Sequence, residues 1–161
     1  MIRLRHPAHA IRRATVADCD DLSEIHAGSF SRGWSGAEFE SLLLQPGTHA
    51  LIAYRRSVFG RRSAAGFILY RLVADEGEVL TVAVARALRG RGIGRALLDE
   101  ALRHAYREGA ARIFLEVEDT NRAAITLYER AEFRETGRRA GYYGEGRATP
   151  GGALVMLRQL R

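Results

Sequence analysis

The sequence predicts an α/β (α+β) fold with a mixed, mostly antiparallel central sheet of about six to seven strands and helices on both faces. Three observations predict it. Short β-rich runs follow one another in the middle of the chain. Two segments with helical spacing of apolar residues precede them, and a β-α-β pattern follows. The 161 residues suffice for one domain, which we expect to span residues 1–161.

The chain starts with a predicted strand over residues 9–13, followed by two helices. Thr15 can cap the first helix, which runs to about Phe30 with apolar residues three or four positions apart. Ser35 and Glu38 form an S-x-x-E capping box for the second helix. The runs HALIAY, AGFILYRLV and EVLTVAVA then predict three consecutive antiparallel strands.

The second half of the chain contains the predicted β-α-β unit. It consists of a strand that ends near Val84, a helix over Ile93–Arg107 and the apolar run RIFLEV. Parallel strands joined through a helix place the loop after the first strand at the carboxyl edge of the sheet, where ligands bind. A short helix near residues 123–130 and strands around 133–143 and 153–159 complete the chain.

Composition excludes several kinds of chemistry. All 25 basic residues are Arg, so Schiff-base, pyridoxal-anchoring and Walker A lysines are absent. Cys19 is the single cysteine and no His pair has the HExxH spacing, so we expect no disulfide and no metal. No apolar run approaches the ~20 residues of a membrane span, and the N-terminus lacks the apolar core of a secretory signal. We therefore expect a cytoplasmic protein without a membrane partner.

The formal net charge of +6 is compatible with an anionic ligand or partner. The Arg residues are scattered along the chain, and the complete replacement of Lys by Arg favours a coding bias over a recognition surface. Nucleic acid is therefore not expected as a direct substrate. The sequence does not distinguish a monomer from a homodimer.

A loop rich in glycine joins the third β-rich run to the long helix. Its glycines let the backbone turn and bring amides close to a ligand, while the helix start favours an anion. The glycines are Gly90, Gly92 and Gly94, and the neighbouring arginines are Arg89, Arg91 and Arg95. The loop predicts a phosphate site, although an ordinary strand-to-helix turn stays open. The dinucleotide pattern G-x-G-x-x-G fails in either register, which disfavours NAD.

Two side chains after this unit suit acid–base chemistry. Glu116 interrupts an otherwise apolar strand, where a carboxylate must be paired or solvated in a cleft and can then accept a proton. Tyr128 lies on the following helix, which Asn121 starts, and a phenol can donate a proton. A pair of this kind suits a reaction in which one reacting group loses a proton and another gains one. A half-exposed strand and a core tyrosine are the alternatives.

Residues 89–94, RGRGIG, are similar to the Q/R-x-x-G-x-G/A motif of the GNAT acyltransferases, and the predicted strand order resembles theirs over nearly the whole chain. The segment LEV...N..A..LYE...F further resembles the RimI-like branch, the ribosomal-protein-alanine N-acetyltransferases. This resemblance implies the GNAT fold and acetyl-CoA as co-substrate. It also implies direct acetyl transfer to a protein or peptide N-terminus, with a ribosomal protein as the expected type of partner.

The same resemblance implies roles for individual residues. Glu116 would be the general base, acting directly or through a water, and Tyr128 the general acid that protonates the CoA thiolate. A backbone N–H near Val84 would polarise the thioester carbonyl. The implied cofactor contacts are Val82, Ala83, Val84, Arg89, Gly90, Arg91, Gly92, Ile93, Gly94, Arg95 and Asn121. The implied acceptor contacts are Trp34, Tyr142 and Tyr143.

Two other functions stay open at the level of sequence. The acceptor could be a small amine or an antibiotic, because the chain lacks the Asp-Pro often found after the cofactor strand and the acidic pair that commonly precedes ALVM. A non-catalytic CoA-binding or ribosome-associated module is the third possibility. The presence of both Glu116 and Tyr128 disfavours it, because a binding module needs neither an acid nor a base.

Overall fold

The computed structural model of the chain describes residues 9–56, 59–139 and 151–161. The strands in these ranges are β1 (Ala10–Arg13), β2 (Thr48–Arg56), β3 (Arg62–Val73), β4 (Glu76–Val84), β5 (Arg112–Glu118), β6 (Arg134–Arg139) and β7 (Ala153–Gln159). The helices are α1 (Cys19–Ala27), α2 (Gly36–Leu43), α3 (Ile93–Arg107) and α4 (Arg122–Arg130), with 3-10 turns at Val16–Asp18 and Arg86–Leu88.

The strands form one sheet in the order β1-β2-β3-β4-β5-β7-β6. Neighbouring strands are antiparallel except β4 and β5, which are parallel and joined through α3. The predicted fold class, with its β-α-β unit, is therefore confirmed. The last hairpin is described only up to Arg139 and again from residue 151, so part of the strand predicted over 133–143 lies outside the described residues.

The first helix differs from the prediction at both ends. Residues 16–18 form a 3-10 turn, and α1 ends at Ala27 instead of near Phe30. Gly28 follows as the C-cap, and the amide of Phe30 bonds to the carbonyl of His26 at 3.1 Å. The chain therefore turns back over the last turn of α1, which brings the Phe30 ring onto His26.

Helices cover both faces of the sheet. On one face, α3 and α4 bury Leu97, Leu98 and Ile125 in the larger core cluster. On the other, α1 and α2 bury Leu22 and Phe39 in a second cluster. Each such side chain contributes about 1.5–3 kcal/mol when it leaves water. The sheet is thus held between two apolar layers.

A β-bulge in β4 marks the place where the sheet opens. Tyr70 of β3 pairs with Val79, but Leu69 pairs with Thr81, so Leu80 is an extra residue in β4. A bulge bends its strand and increases the local twist. The parallel pairing of β4 with β5 ends at Val79, and no described strand continues the ladder on that side of β4. The backbone of β4 after the bulge therefore faces a gap.

Asp18 fastens the start of α1 to the sheet. Its carboxylate accepts hydrogen bonds from Arg12 at 2.7 and 2.9 Å, from the Thr15 amide at 2.8 Å and from the Tyr54 hydroxyl at 2.8 Å. The bonds from Arg12, together with those from Thr15 and Tyr54, lower the pKa of Asp18 to about 2 although burial acts in the opposite direction. The ionised carboxylate is therefore the form that the fold stabilises.

We expect Asp18→Asn to destabilise the protein by about 1–2 kcal/mol at pH 7, a value reduced by solvent screening at the half-exposed Arg12. Because the folded pKa lies below the ordinary value of 3.8, this contribution is lost as the pH falls from about 4 towards 2. Urea denaturation at pH 7 and pH 2.5 measures it, with the exposed Glu24→Gln as control. A loss of equal size at both pH values would contradict the assignment.

Candidate active site

A cleft of about 370 Å³ lies where β4 and β5 separate. Its walls come from β4, β5, α4 and the connection between α1 and α2. Five of the residues predicted from the sequence to have functional roles line it, namely Trp34, Val82, Glu116, Asn121 and Tyr128. Residues from four separate segments of the chain therefore meet at one opening of the sheet.

Glu116 and Tyr128 approach this cleft from opposite faces of β5. The alternate residues Ile113, Leu115 and Val117 point into the core beneath α3 and α4, and Tyr128 belongs to the same core cluster. Glu116 points to the other face and is exposed, as the alternation predicts. A reacting group placed in the gap between the strands could therefore meet a base on one side and an acid on the other.

The Glu116 carboxylate is both solvated and paired. Its side chain is 39% exposed, and its Oε1 lies 3.0 Å from Nη2 of Arg139, whose side chain is 73% exposed. Solvent and the guanidinium together remove the desolvation cost of a carboxylate on an apolar strand. Glu116 is therefore a carboxylate that a ligand in the cleft can reach, directly or through a water.

Tyr128 has the opposite environment. The residue is only 7% exposed and packs edge-on against Phe133, with 5.8 Å between the ring centroids. Burial raises the pKa of Tyr128 to about 12. Because this value is far above neutrality, the phenol keeps its proton at physiological pH and can donate it within the cleft.

Asn121 determines where α4 starts. Its side-chain oxygen accepts a hydrogen bond from the Ala124 amide at 3.2 Å, the usual N-cap contact. This cap fixes the first turn of the helix against the cleft, and Asn121 and Ala124 both line it. The predicted position of Asn121 at the helix start is thus observed, and Tyr128 follows two turns later on the same helix.

The glycine-rich loop before α3 has the conformation of an open anion cradle. Gly90 and Gly92 have φ values of 76° and 82°, a region that side chains disfavour, and no heavy atom lies within 4 Å of a Cβ built on either. Gly92 is the N-cap of α3 and offers no side chain to cap it. The first amides of the helix therefore have no intrahelical partner and can bind an anion.

The three arginines of this loop differ in what they contact. Arg95 bonds to Asp99 at 2.9 Å along α3. Arg89 bonds back to the carbonyl of Val84 at 3.2 Å and to the segment that follows α1. Arg91 is exposed and makes no hydrogen bond to the described part of the chain. Arg91 is therefore the arginine whose guanidinium stays available to an anion in the loop.

The three residues of β4 that were predicted to contact the cofactor also differ in where their side chains lie. Val82 lines the cleft, Ala83 is buried in the second core cluster, and Val84 packs against the larger one. Their side chains are structural, and it is the backbone beside the gap that can contact a ligand. Tyr142 and Tyr143 lie outside the described residues.

His26, on α1, organises one wall of the cleft although the sequence pattern assigned it no role in the site. Its ring lies between those of Phe30 and Trp34, with centroids 4.3 and 4.5 Å away. Its Nδ1 accepts the Trp34 amide at 3.1 Å, and burial lowers the pKa of His26. A neutral imidazole therefore holds Trp34 in place. The four-residue spacing between His26 and Phe30 was the available signal.

Thr81 is a second residue that the sequence prediction did not assign. It follows the bulge in β4 and lines the cleft, and its buried hydroxyl has no hydrogen-bond partner among the described residues. Buried hydroxyl groups are normally bonded. A single polar residue inside the run EVLTVAVA was the signal that could have identified it.

Within the described ranges, no group of three or more His, Cys, Asp or Glu side chains is placed to hold a metal ion. The helices found there are also too short or too polar to cross a bilayer.

Comparison with known proteins identifies the fold and the family. Residues 19–133 match the model of the Acetyltransferase (GNAT) family. The chain is 35% identical over 138 residues to the N-alpha-acetyltransferase RimI of Mycobacterium tuberculosis (strain ATCC 25618 / H37Rv), and the match covers 80% of each chain. It is therefore similar to a protein of the RimI type, as the sequence motifs predicted.

Solved structures share the architecture. The crystal structure of the ribosomal-protein-S18-alanine N-acetyltransferase from Escherichia coli matches with a TM-score of 0.82 and 27% identity, covering 94% of each chain. Arabidopsis thaliana NAA60, solved in complex with acetyl-CoA, has the same fold, with a TM-score of 0.77, 20% identity and coverage of 94% of this chain and 98% of that one. The predicted class of enzyme, an acyltransferase, is confirmed, and the chain belongs to the Acetyltransferase (GNAT) family.

Proposed function

We propose that this enzyme transfers the acetyl group of acetyl-CoA directly to the N-terminal α-amine of a protein, of the ribosomal-protein-alanine type. The observation that carries the proposal is the placement of Glu116 and Tyr128 on opposite faces of β5 in one cleft. The names of the similar proteins from M. tuberculosis and E. coli support the α-amine as acceptor.

The residues that face the gap fit acetyl-CoA. The amides around Gly90 and Gly92 and the uncapped start of α3 suit a pyrophosphate, and the exposed Arg91 adds a positive charge. The unpaired edge of β4 after Leu80 can pair with the amide groups of an extended pantetheine arm. Acetyl-CoA supplies the acetyl group as an activated thioester.

The two proton transfers of the reaction take place on opposite faces of β5. We assign Glu116 as the group that accepts a proton from the attacking amine, so that the nitrogen can form the new N–C bond. As the C–S bond breaks, Tyr128 donates its proton to the departing sulfur, and the phenol regains a proton from solvent afterwards. Val82 is a residue of β4 that lines the gap. A backbone N–H of β4 at this place would stabilise the negative charge that develops on the acetyl oxygen.

The wall opposite β5 suits a peptide. Trp34 presents an aromatic surface that His26 holds in place, and Phe30 is 40% exposed beside it. Aromatic surfaces of this kind hold a peptide chain by contact area, while Glu116 attracts the positively charged amine. A protein N-terminus is therefore the acceptor that we propose. A monomer or homodimer in the cytoplasm remains our prediction for the protein's state.

We expect Gly92→Ala to impair acetyl-CoA binding. The substitution meets no steric obstacle, but an alanine at φ 82° costs about 1–2 kcal/mol. The loop would relax away from the conformation that presents its amides, so calorimetry should detect about tenfold weaker CoA binding. Gly137→Ala on β6 is the matched control, because its Cβ also meets open space and its φ is ordinary. Unchanged CoA affinity in Gly92→Ala would remove the loop from the site.

A peptide experiment tests the proposed function. Acetyl-CoA is supplied with a set of peptides that differ in their first residue, and mass spectrometry locates the added acetyl group. The same peptides with a blocked N-terminus and an internal lysine, together with small amines and aminoglycosides, form the comparison set. We expect acetylation of the free α-amine, with alanine preferred. Acetylation of the small amines alone would contradict the proposal.

A further inference from the structure

Arg89 begins the motif of the cofactor loop, but its side chain contacts the other half of the active site. The guanidinium donates through Nη2 to the carbonyl of Gly28 at 3.2 Å and to the hydroxyl of Ser29 at 2.9 Å. Its Nε donates to the carbonyl of Val84 at 3.2 Å. Arg86 adds a longer bond to the Gly28 carbonyl, at 3.4 Å. One side chain thus joins the end of β4 to the end of α1.

The segment that Arg89 contacts leads directly into the side of the cleft that carries Phe30 and Trp34. We call this side the acceptor wall, because it is the one proposed above to hold the peptide. Ser29 lines the cleft, and so do the residues that follow it as far as Arg32, and then Trp34. This wall is held at its far end by the stacking of Trp34 on His26. Ser29 is therefore joined to Trp34 by a short stretch of chain that lines the cleft.

The glycine-rich loop of residues 89–94, called the cofactor loop here, lies at the other end of the contacts that Arg89 makes. Arg89 immediately precedes Gly90 and Gly92, whose backbone conformation presents the amides to an anion. An anion bound there restricts the loop and hence the position of the Arg89 backbone. Nε and Nη2 of Arg89 are already bonded to protein acceptors, which leaves only Nη1 to reach a phosphate, whereas Arg91 is exposed and bonds to none of the described residues.

We infer that Arg89 is a positioning residue that couples cofactor binding to the acceptor wall, and not a phosphate ligand. With the loop occupied, Arg89 holds Gly28 and Ser29 so that the wall is shaped for the acceptor. Coupling of this kind is reciprocal, so CoA tightens acceptor binding by the same factor by which the acceptor tightens CoA binding. The identity of the acceptor rests on the proposed function, but the coupling can be measured with CoA alone.

Trp34 provides the measurement, because it is the single tryptophan of the chain and lies in the acceptor wall. In the wild type we expect CoA to change the emission of Trp34 with the same dissociation constant that calorimetry gives. In Arg89→Gln we expect CoA to bind within about threefold of the wild-type affinity while the change in emission is lost. Arg91→Gln, the matched control in the same loop, should show the reverse, with about tenfold weaker binding and a full change in emission at saturation.

A second variant tests the contact from its other end. Ser29→Ala removes the hydroxyl that Arg89 bonds at 2.9 Å, and should reduce the Trp34 response without affecting CoA affinity. Combined with Arg89→Gln it should add nothing, since both substitutions break one connection.

Three results would overturn the inference. They are a full Trp34 response in Arg89→Gln, a loss of CoA affinity in Arg89→Gln as large as that in Arg91→Gln, or no Trp34 response in a wild type that binds CoA. A failure of the proposed function has a different signature, which is CoA binding with an intact Trp34 response but no acetylated peptide.

Discussion

Glu116→Gln is expected to lower kcat by about 100-fold or more, while acetyl-CoA still binds with nearly wild-type affinity. The amide has nearly the shape of the carboxylate but cannot accept the proton of the attacking amine. The residue is exposed at the cleft and does not contribute to the buried core, so the fold should be retained. Steady-state kinetics with an N-terminal peptide and calorimetry with CoA separate the two effects.

Glu118→Gln is the matched control for this variant. Glu118 lies two residues further along β5, on the same face, and lines the same cleft. Glu118→Gln removes the same charge from the same region as Glu116→Gln does. Its kcat should therefore stay within about threefold of wild type if proton transfer is the function of Glu116. Equal losses in the two variants would show that the cleft needs negative charge and not a particular base.

Tyr128→Phe is expected to have a comparable effect, again about 100-fold in kcat, because the departing thiolate loses its proton donor. The ring and its contact with Phe133 remain, so the core should stay packed. Tyr106→Phe, on the exposed side of α3, removes a hydroxyl outside the cleft and should leave kcat unchanged. Full activity in Tyr128→Phe would exclude the phenol as the general acid.

The pH dependence of Tyr128 provides a separate check. Burial raises the pKa of Tyr128 to about 12, so the phenol remains protonated throughout the range in which the protein is assayed. If Tyr128 ionised in this range, kcat would fall on the alkaline side in the wild type and not in Tyr128→Phe. We expect no such loss up to about pH 10. Such a loss would show that the phenol ionises much earlier than its buried position implies.

Local signals in the sequence were sufficient for most of the fold. The predicted bounds of α3, Ile93–Arg107, are those observed, because Gly92 and Gly109 adopt positive φ values at its two ends. The capping box of Ser35 and Glu38 is present at the start of α2. Alternation along β5 correctly placed Glu116 on the face away from the core. Each of these features depends on residues that are near one another in the chain.

Features that depend on distant pairing were not predictable. The bulge at Leu80 exists only in the register between β3 and β4, and it is the bulge that marks the opening of the cleft. Arg89 contacts Gly28 and Ser29, about sixty positions away, so its charge alone suggested a phosphate ligand. The end of α1 was also missed, because the apolar spacing continues to Phe30 although the helix ends at Ala27 with Gly28 as its C-cap.

A single-turnover reaction tests whether acetyl passes directly from acetyl-CoA to an α-amine between Glu116 and Tyr128, with no covalent enzyme intermediate. Enzyme in excess is mixed with isotope-labelled acetyl-CoA and a peptide that begins with alanine. Mass spectrometry then follows the label on the enzyme and on the peptide. We expect the label to appear on the peptide N-terminus and never on the enzyme, and a Glu116→Gln/Tyr128→Phe variant with intact CoA binding to transfer almost none. Label on the enzyme, or wild-type transfer by that variant, would contradict it.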